Sequence, residues 1–145
     1  MESILTSTKK LLGITEEYEQ FDTDLIICIN SVLSILTQLG VGPSKGFSIK
    51  DKTAVWTDFI PYDNRLEFVK SYLHLKVKLL FDPPLGSAVT ESINRMLSEL
   101  EWRINIEADT AQKGEQREQY NYEVGRYTHI FLNGYTHTQI REQAI

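Results

Sequence analysis

The sequence predicts a mainly α protein: a small bundle of about four helices followed by an extended C-terminal tail with short β-strands. Three observations carry this. Residues Leu66–Ile106 hold two stripes of apolar residues at helical i, i+3, i+4, i+7 spacing, hinged on Asp82-Pro83-Pro84. Residues Leu25–Leu39 form the most apolar run of the chain. After Ile106 aliphatic residues nearly vanish, until two β-capable runs flank an Asn-Gly pair. The division expected is a helical domain over 1–106 and an extension over 107–145.

Residues 2–12 read as an amphipathic helix with Ile4, Leu5, Thr8, Leu11 and Leu12 on one face, closed by Gly13 as the C′ residue. An acidic connector leads to Asp22. This residue is the expected N-cap of the next helix because its carboxylate can accept an orphan amide proton; Phe21 before it suits a hydrophobic staple. In LIICINSVLSILTQL, the residues Leu25, Ile26, Ile29, Val32, Leu33 and Leu36 make one wide stripe, broadened by Cys28 and Ile35. This is the expected central helix, and Gly40 ends it.

Residues 47–65 allow two readings. One is a small β-hairpin near 47–56 with Asp51-Lys52 as its turn, then a single helical turn in WTDFI before Pro61. The other is a continuous short helix over 50–60. Trp56 and Phe59 are expected to cap one end of the bundle, and Asp63 or Asn64 to cap the helix that follows. Within that helix Leu66, Val69, Leu73, Val77 and Leu80 share a face. Two consecutive prolines stop it, each lacking an amide hydrogen and each pushing the preceding residue out of the α region. Gly86 and Ser87 offer a joint and an N-cap for the last helix, whose stripe is Val89, Ile93, Met96, Leu97, Leu100 and Ile104.

The polar stretch from Glu107 to Gly125 cannot build a core and reads as a linker that could extend to ~60 Å. RYTHIFL and YTHTQI beyond it, separated by Asn133-Gly134, carry the hairpin signal. Their aromatic and aliphatic side chains mark a docking element tethered by the linker. The alternative is a ribbon that folds back onto its own domain; docking is the expectation because an isolated hairpin is marginal in water.

Composition narrows the function. Of 145 residues, 41% are hydrophobic and 24% charged, a balance that suits one soluble domain and excludes wholesale disorder. A net charge of −5 argues against a general nucleic-acid binder, which needs a basic face. The single cysteine, Cys28, excludes an internal disulfide framework and fits a reducing compartment. No apolar run approaches the roughly 18 residues of a membrane span. The N-terminus has no signal-peptide pattern. The expectation is a protein made and used without secretion.

Chemistry is sparse. His74 stands alone on its helix, and His129 with His137 would make only a two-histidine site across the tail hairpin, short of a metal set. Cys28 lies in the most apolar helix with no base nearby. Glu99 and Glu101, two residues apart on a helix, do not face each other. Tyr72, Phe81 and Trp102 fall at or near core positions. GVGPSKG at 40–46 lacks phosphate-loop spacing. No catalytic, cofactor or metal residues are assigned, and an enzyme has no support.

KLLFDPPLGSAV followed by SINRMLSELEWRIN resembles the small helical head–tail connector (adaptor) proteins of tailed bacteriophages. KKLLGI, LTQLGVG and Trp56-Thr57-Asp58-Phe59 fit the same pattern, and Leu79-Leu80-Phe81-Asp82-Pro83-Pro84 is its most specific piece. The resemblance covers about residues 1–106. It implies a structural virion protein of the neck, made in the bacterial host cytoplasm. Such proteins assemble as a ring, commonly dodecameric, under the portal, extend the DNA channel, and meet a stopper or tail protein. DNA would pass through the lumen without specific binding, eased by an acidic lining. The portal contact is then expected on Tyr127, Ile130, Phe131, Leu132, Tyr135 and Ile140. The ring contact is expected on Ile4, Leu5, Leu12, Phe47, Trp56 and Phe59. The alternative is a small helical DNA-binding or regulatory protein, for which Lys70, Lys76 and Lys78 are the best basic candidates.

Overall fold

The computed structural model of the chain describes residues 2–61 and 64–135; for residues 108, 109, 111, 112 and 127–135 the description is of the backbone. Five helices follow in order: α1 (Ile4–Leu11), α2 (Asp22–Gln38), α3 (Trp56–Phe59), α4 (Leu66–Phe81) and α5 (Ser87–Tyr135). The chain forms two compact units, Met1–Ala108 and Asp109–Ile145.

The core of the first unit is built by α1, α2 and α4 around the apolar run of α2. Leu25, Ile29, Val32, Leu33 and Leu36 are fully buried, as their spacing predicts, and Ile26, Cys28 and Ile35 are packed at the margin. Val69, Tyr72, Leu73 and Val77 of α4 meet them, while Leu80 at the end of that stripe stays exposed. The helix ends follow their glycines. At α1 the Gly13 amide donates to Lys10 O and the Ile14 amide to Lys9 O; at α2 the Gly40 amide donates to Thr37 O and the Val41 amide to Leu36 O. Both are Schellman closures, with positive φ at Gly13 and Gly40.

α1 departs from its predicted face. Ile4, Leu5 and Thr8 are buried, but Leu11 is 63% exposed and Lys9 is 2% exposed. The Lys9 ammonium lies 2.7 Å from Asp22 Oδ1 and donates to Glu16 O at 2.9 Å. A buried charge is tolerated only when paired and hydrogen-bonded, and the connector supplies both acceptors. Asp22 therefore does not cap α2: it is the first helical residue, with Phe21 in the cap position and no side-chain cap. Nor is Phe21 tucked away as a staple. It stays 39% exposed, between the Tyr18 ring at 5.2 Å and the Phe81 ring at 5.4 Å.

Residues 47–55 form neither a hairpin nor a helix. Ile49 finds its partner in a side chain: Asn30 Nδ2 donates to Ile49 O at 3.0 Å, and the Ile49 amide donates to Asn30 Oδ1 at 2.8 Å. One carboxamide thus does the work of a neighbouring strand. Asp51 closes a local turn by accepting from the Thr53 amide. The segment then pairs with the N-terminus through a single antiparallel bridge, Ser3 with Val55, where the Ile4 amide donates to Ala54 O and the Trp56 amide to Glu2 O.

The helical turn expected in WTDF is α3. Asp58 Oδ2 accepts from the Val55 amide at 3.0 Å. Trp56 and Phe59 are buried; Trp56 Nε1 donates to Ser7 Oγ at 3.0 Å, and Phe59 stacks with Phe47 at 5.3 Å. Asn64 does not cap α4. The cap position is Arg65, whose guanidinium donates to Gly40 O; Asp63 lies outside the described residues.

His74 packs edge-on against Trp56, with ring centroids 5.8 Å apart. Its Nε2 is buried without a hydrogen-bond partner among the described residues. Burial holds the imidazole down to about 4; Glu2 pulls it upward and Lys70 pushes it further down.

α5 contributes Leu97 and Ile104 to the core, with Ile93 and Leu100 partly buried, but leaves Val89 and Met96 outside. Gly86 takes the cap position, its carbonyl accepting from the Thr90 amide, and Ser87 is the first helical residue. Among the described residues the tail forms no strand: the backbone of Tyr127–Leu132 and of Asn133-Gly134 is helical, within α5. The stretch 107–125 before it is helical too, because its Glu, Gln, Lys, Arg and Ala are strong helix formers even when no apolar face accompanies them, and a helix once formed propagates at little cost into the residues that follow. As a helix this segment rises about 1.5 Å per residue, less than half the reach of an extended linker. The second run, after Tyr135, lies outside the described residues.

Two outcomes test this architecture. Asp22→Asn strips the charge partner from buried Lys9 and should cost about 3 kcal/mol in urea unfolding. Lys9→Met removes the buried charge itself and should cost only about 1 kcal/mol, because Asp22 keeps some access to water. The second outcome concerns pH. The unfolded chain takes up a proton at His74 as pH falls through 6.5, the folded chain only near 4. Stability present above 6.5 should therefore drain away between 6.5 and 4, by no more than about 3 kcal/mol. His74→Gln should flatten that part of the unfolding-versus-pH curve; an unchanged slope would place the loss on other groups.

Candidate assembly surface

The hinge is where sequence places apolar side chains with no core to enter. Asp82 ends α4, its amide donating to Lys78 O at 3.0 Å and its carboxylate paired with the Lys78 ammonium. Pro83 and Pro84 then fix two φ angles and donate no hydrogen bond. They hold out Leu85, which at 108% relative exposure touches almost nothing. Leu80 and Val89, the flanking apolar residues of the two helices, are each about half exposed, at 54% and 52%.

The outer face of α5 continues the pattern. Met96 is 50% exposed and Trp102 is 63% exposed. Ion pairs at i, i+4 spacing lie along the same helix: Glu91 with Arg95 at 2.7 Å and Glu99 with Arg103 at 2.8 Å. Exposed large apolar groups among charged pairs form the kind of surface that protein partners cover. One side of α5 is fixed in angle. The Tyr72 hydroxyl donates to Glu101 Oε1 at 2.7 Å, and the Arg103 guanidinium lies 5.8 Å from the Phe68 ring centroid. Burial, then the hydrogen bond and charge of Glu101, raise the Tyr72 phenol well above its ordinary range. It therefore stays a donor.

Of the six residues expected at a ring contact, Ile4, Leu5, Trp56 and Phe59 come together inside the chain's own core. Leu12 and Phe47 are partly buried against it. Of the six expected at a portal contact, Tyr127, Ile130, Phe131, Leu132 and Tyr135 lie on the α5 backbone, and Ile140 lies outside the described residues. Sequence reasoning placed Trp102 at a core position and passed over Leu85. The signal for Leu85 was present, since an aliphatic residue between two prolines and a glycine has no helix or strand to carry it inward. Leu80 closes a regular stripe and gave no such warning.

The groups weighed for chemistry are held by structure. Glu101 serves Tyr72 and Glu99 serves Arg103. Cys28 is partly buried, and burial followed by the Asp24 charge raises its thiol. His129 is known by its backbone, and His137 lies outside the described residues. No group of three or more His, Cys, Asp or Glu among the described residues could hold a metal ion, and no described helix is long and apolar enough to cross a membrane. The three lysines considered for nucleic acid each have an occupation. Lys70 pairs with Glu2 and lies over Trp56, Lys76 lies over Tyr72, and Lys78 pairs with Asp82.

Comparison with known proteins agrees with the hinge. Neither curated proteins nor solved structures give a match. A family model described as phage connector protein matches residues 4–111, which takes in α1 to α4, the Asp-Pro-Pro hinge and the part of α5 that joins the core. The chain belongs to the phage connector protein family.

Proposed function

We propose that this connector acts at the head–tail junction. Its copies assemble as a ring under the portal, extend the DNA channel, and join the portal to the stopper or tail protein. The observation that carries this reading is the exposure of Leu80, Leu85, Val89, Met96 and Trp102 on a domain whose own core is complete. Burying such residues is worth about 25 cal/mol per Å², and neighbouring copies and partner proteins would supply the cover in this reading. The surplus of acids over bases suits a channel that gives passing DNA little to hold.

The extension reaches its partner as a helix in this reading, with no added strand. Residues 120, 124, 127 and 131 follow 4-3-4 spacing and fall on one helical face. They are Tyr120, Val124, Tyr127 and Phe131, a row that fits an apolar groove.

Native mass measurement tests the ring. The chain alone is expected to run as a monomer or small species, and to form a closed multimer once portal protein is added; a mass unchanged by portal would refute the assignment. Truncation after Ala108 tests the extension. The shortened chain should keep a cooperative unfolding transition and bind portal at least tenfold more weakly. Undiminished binding would remove the extension from the contact.

A further inference from the structure

Ring assembly requires two different complementary patches on every copy, because a head-to-tail contact is heterologous. One patch is the hinge knob already described: Leu85, held out by Pro83 and Pro84. A side chain presented by a pre-set backbone loses little conformational freedom on docking. The knob carries its own charges at the base, the Lys78–Asp82 ion pair.

The second patch lies where α1 ends and the connector begins. Thr6, Lys10, Gly13, Ile14, Thr15 and Glu16 line an open, mainly apolar depression of about 340 Å³. That space admits a leucine side chain with room to spare. Gly13 keeps it open, since no atom lies within 4 Å of the place where a Cβ would stand. Ile14 supplies an apolar wall. Lys10 and Glu16 put one positive and one negative charge among its lining residues. The chain's own Leu85 does not fill the depression, being fully exposed.

We infer that Leu85 of one copy inserts into the Thr6–Glu16 depression of the next copy, and that this contact repeats head to tail. The charges match in kind as well as the shapes. The knob brings Lys78 and Asp82, the depression offers Glu16 and Lys10, and the two pairs can exchange partners across the junction. Neither patch is self-complementary, so the contact does not stop at a two-fold dimer. It propagates and closes only if the rotation per copy allows. This deepens the ring reading and rests on it, while committing to residues which that reading does not require.

The test is a directed disulfide in the full-length chain. Cys28→Ser removes the native thiol, and Leu85→Cys with Thr15→Cys places one new thiol on each patch. Mild oxidation is run on the chain alone at millimolar concentration and on the chain mixed with portal protein. The expected product is a ladder of covalent multimers, with either single-cysteine variant giving none beyond a dimer. Leu85→Asp and Thr15→Trp, both at exposed positions and so harmless to folding, should each lower association at least tenfold by sedimentation. If the wild-type chain forms rings but the double-cysteine variant gives no ladder, and Leu85→Asp assembles like wild type, this contact is wrong and the ring stands. If the wild-type chain associates in neither setting, the ring reading falls and the contact with it. A strong dimer from Leu85→Cys alone would show a two-fold contact and also overturn the proposal.

Discussion

A buried ammonium sets the first half of this domain. Lys9 is enclosed by the core, and its two acceptors, Asp22 Oδ1 and Glu16 O, come from the start of α2 and from the connector before it. An unpaired charge in such a site is costly enough that the alternatives are few. The connector must return, α2 must start at Asp22, and the aromatic pair Tyr18 and Phe21 is carried against Phe81. The rotation of α1 that admits Lys9 also turns Leu11 outward. A single polar contact thus decides which apolar residue of α1 faces the solvent.

A second constraint acts on the long irregular stretch between α2 and α4. Its backbone groups have no sheet to join, and buried amides and carbonyls must find partners. Asn30 answers for Ile49, and the N-terminal residues Glu2 and Ile4 answer for Trp56 and Ala54. With those ties made, Trp56 can bury its ring beside His74 and still satisfy its indole N–H through Ser7. The hinge depends on this as well, because α4 is positioned by what packs under Tyr72, Leu73 and Val77.

How much of this could be read from residues alone follows from what kind of force was acting. Where burial of aliphatic side chains dominates, the periodicity told the truth: the stripe of α2 and most of that of α4 are buried as spaced. Gly13 and Gly40 were legible because a left-handed backbone selects them. Lys9 was not, since its stability comes from partners distant in sequence that no local pattern reveals. The Asn30 carboxamide was missed for the same reason, and with it the true form of residues 47–55. Trp102 misled because an aromatic within an apolar helix is read as core until the helix angle is known. The tail misled differently. Lack of aliphatic residues predicts lack of a core, whereas helix propensity acts without a core. Asn133-Gly134 signals a hairpin only where strands flank it, and here the flanking backbone is helical.

The same contrast separates what folds the domain from what makes it a connector. The family match over residues 4–111 takes in the hinge, yet the hinge adds little to the core. Pro83 and Leu85 are exposed and only Pro84 is partly buried, and an exposed leucine brings no stability to its own chain. An apolar projection of this kind is therefore accounted for by contacts other than those of its own core. α5 carries the same logic along its first turns. Leu97 and Ile104 hold it, the Tyr72–Glu101 hydrogen bond fixes its rotation, and that rotation is what keeps Met96 and Trp102 on the surface. The hydrogen bond from a phenol kept protonated to the Glu101 carboxylate is thus less a source of stability than a device for aiming the exposed face of α5.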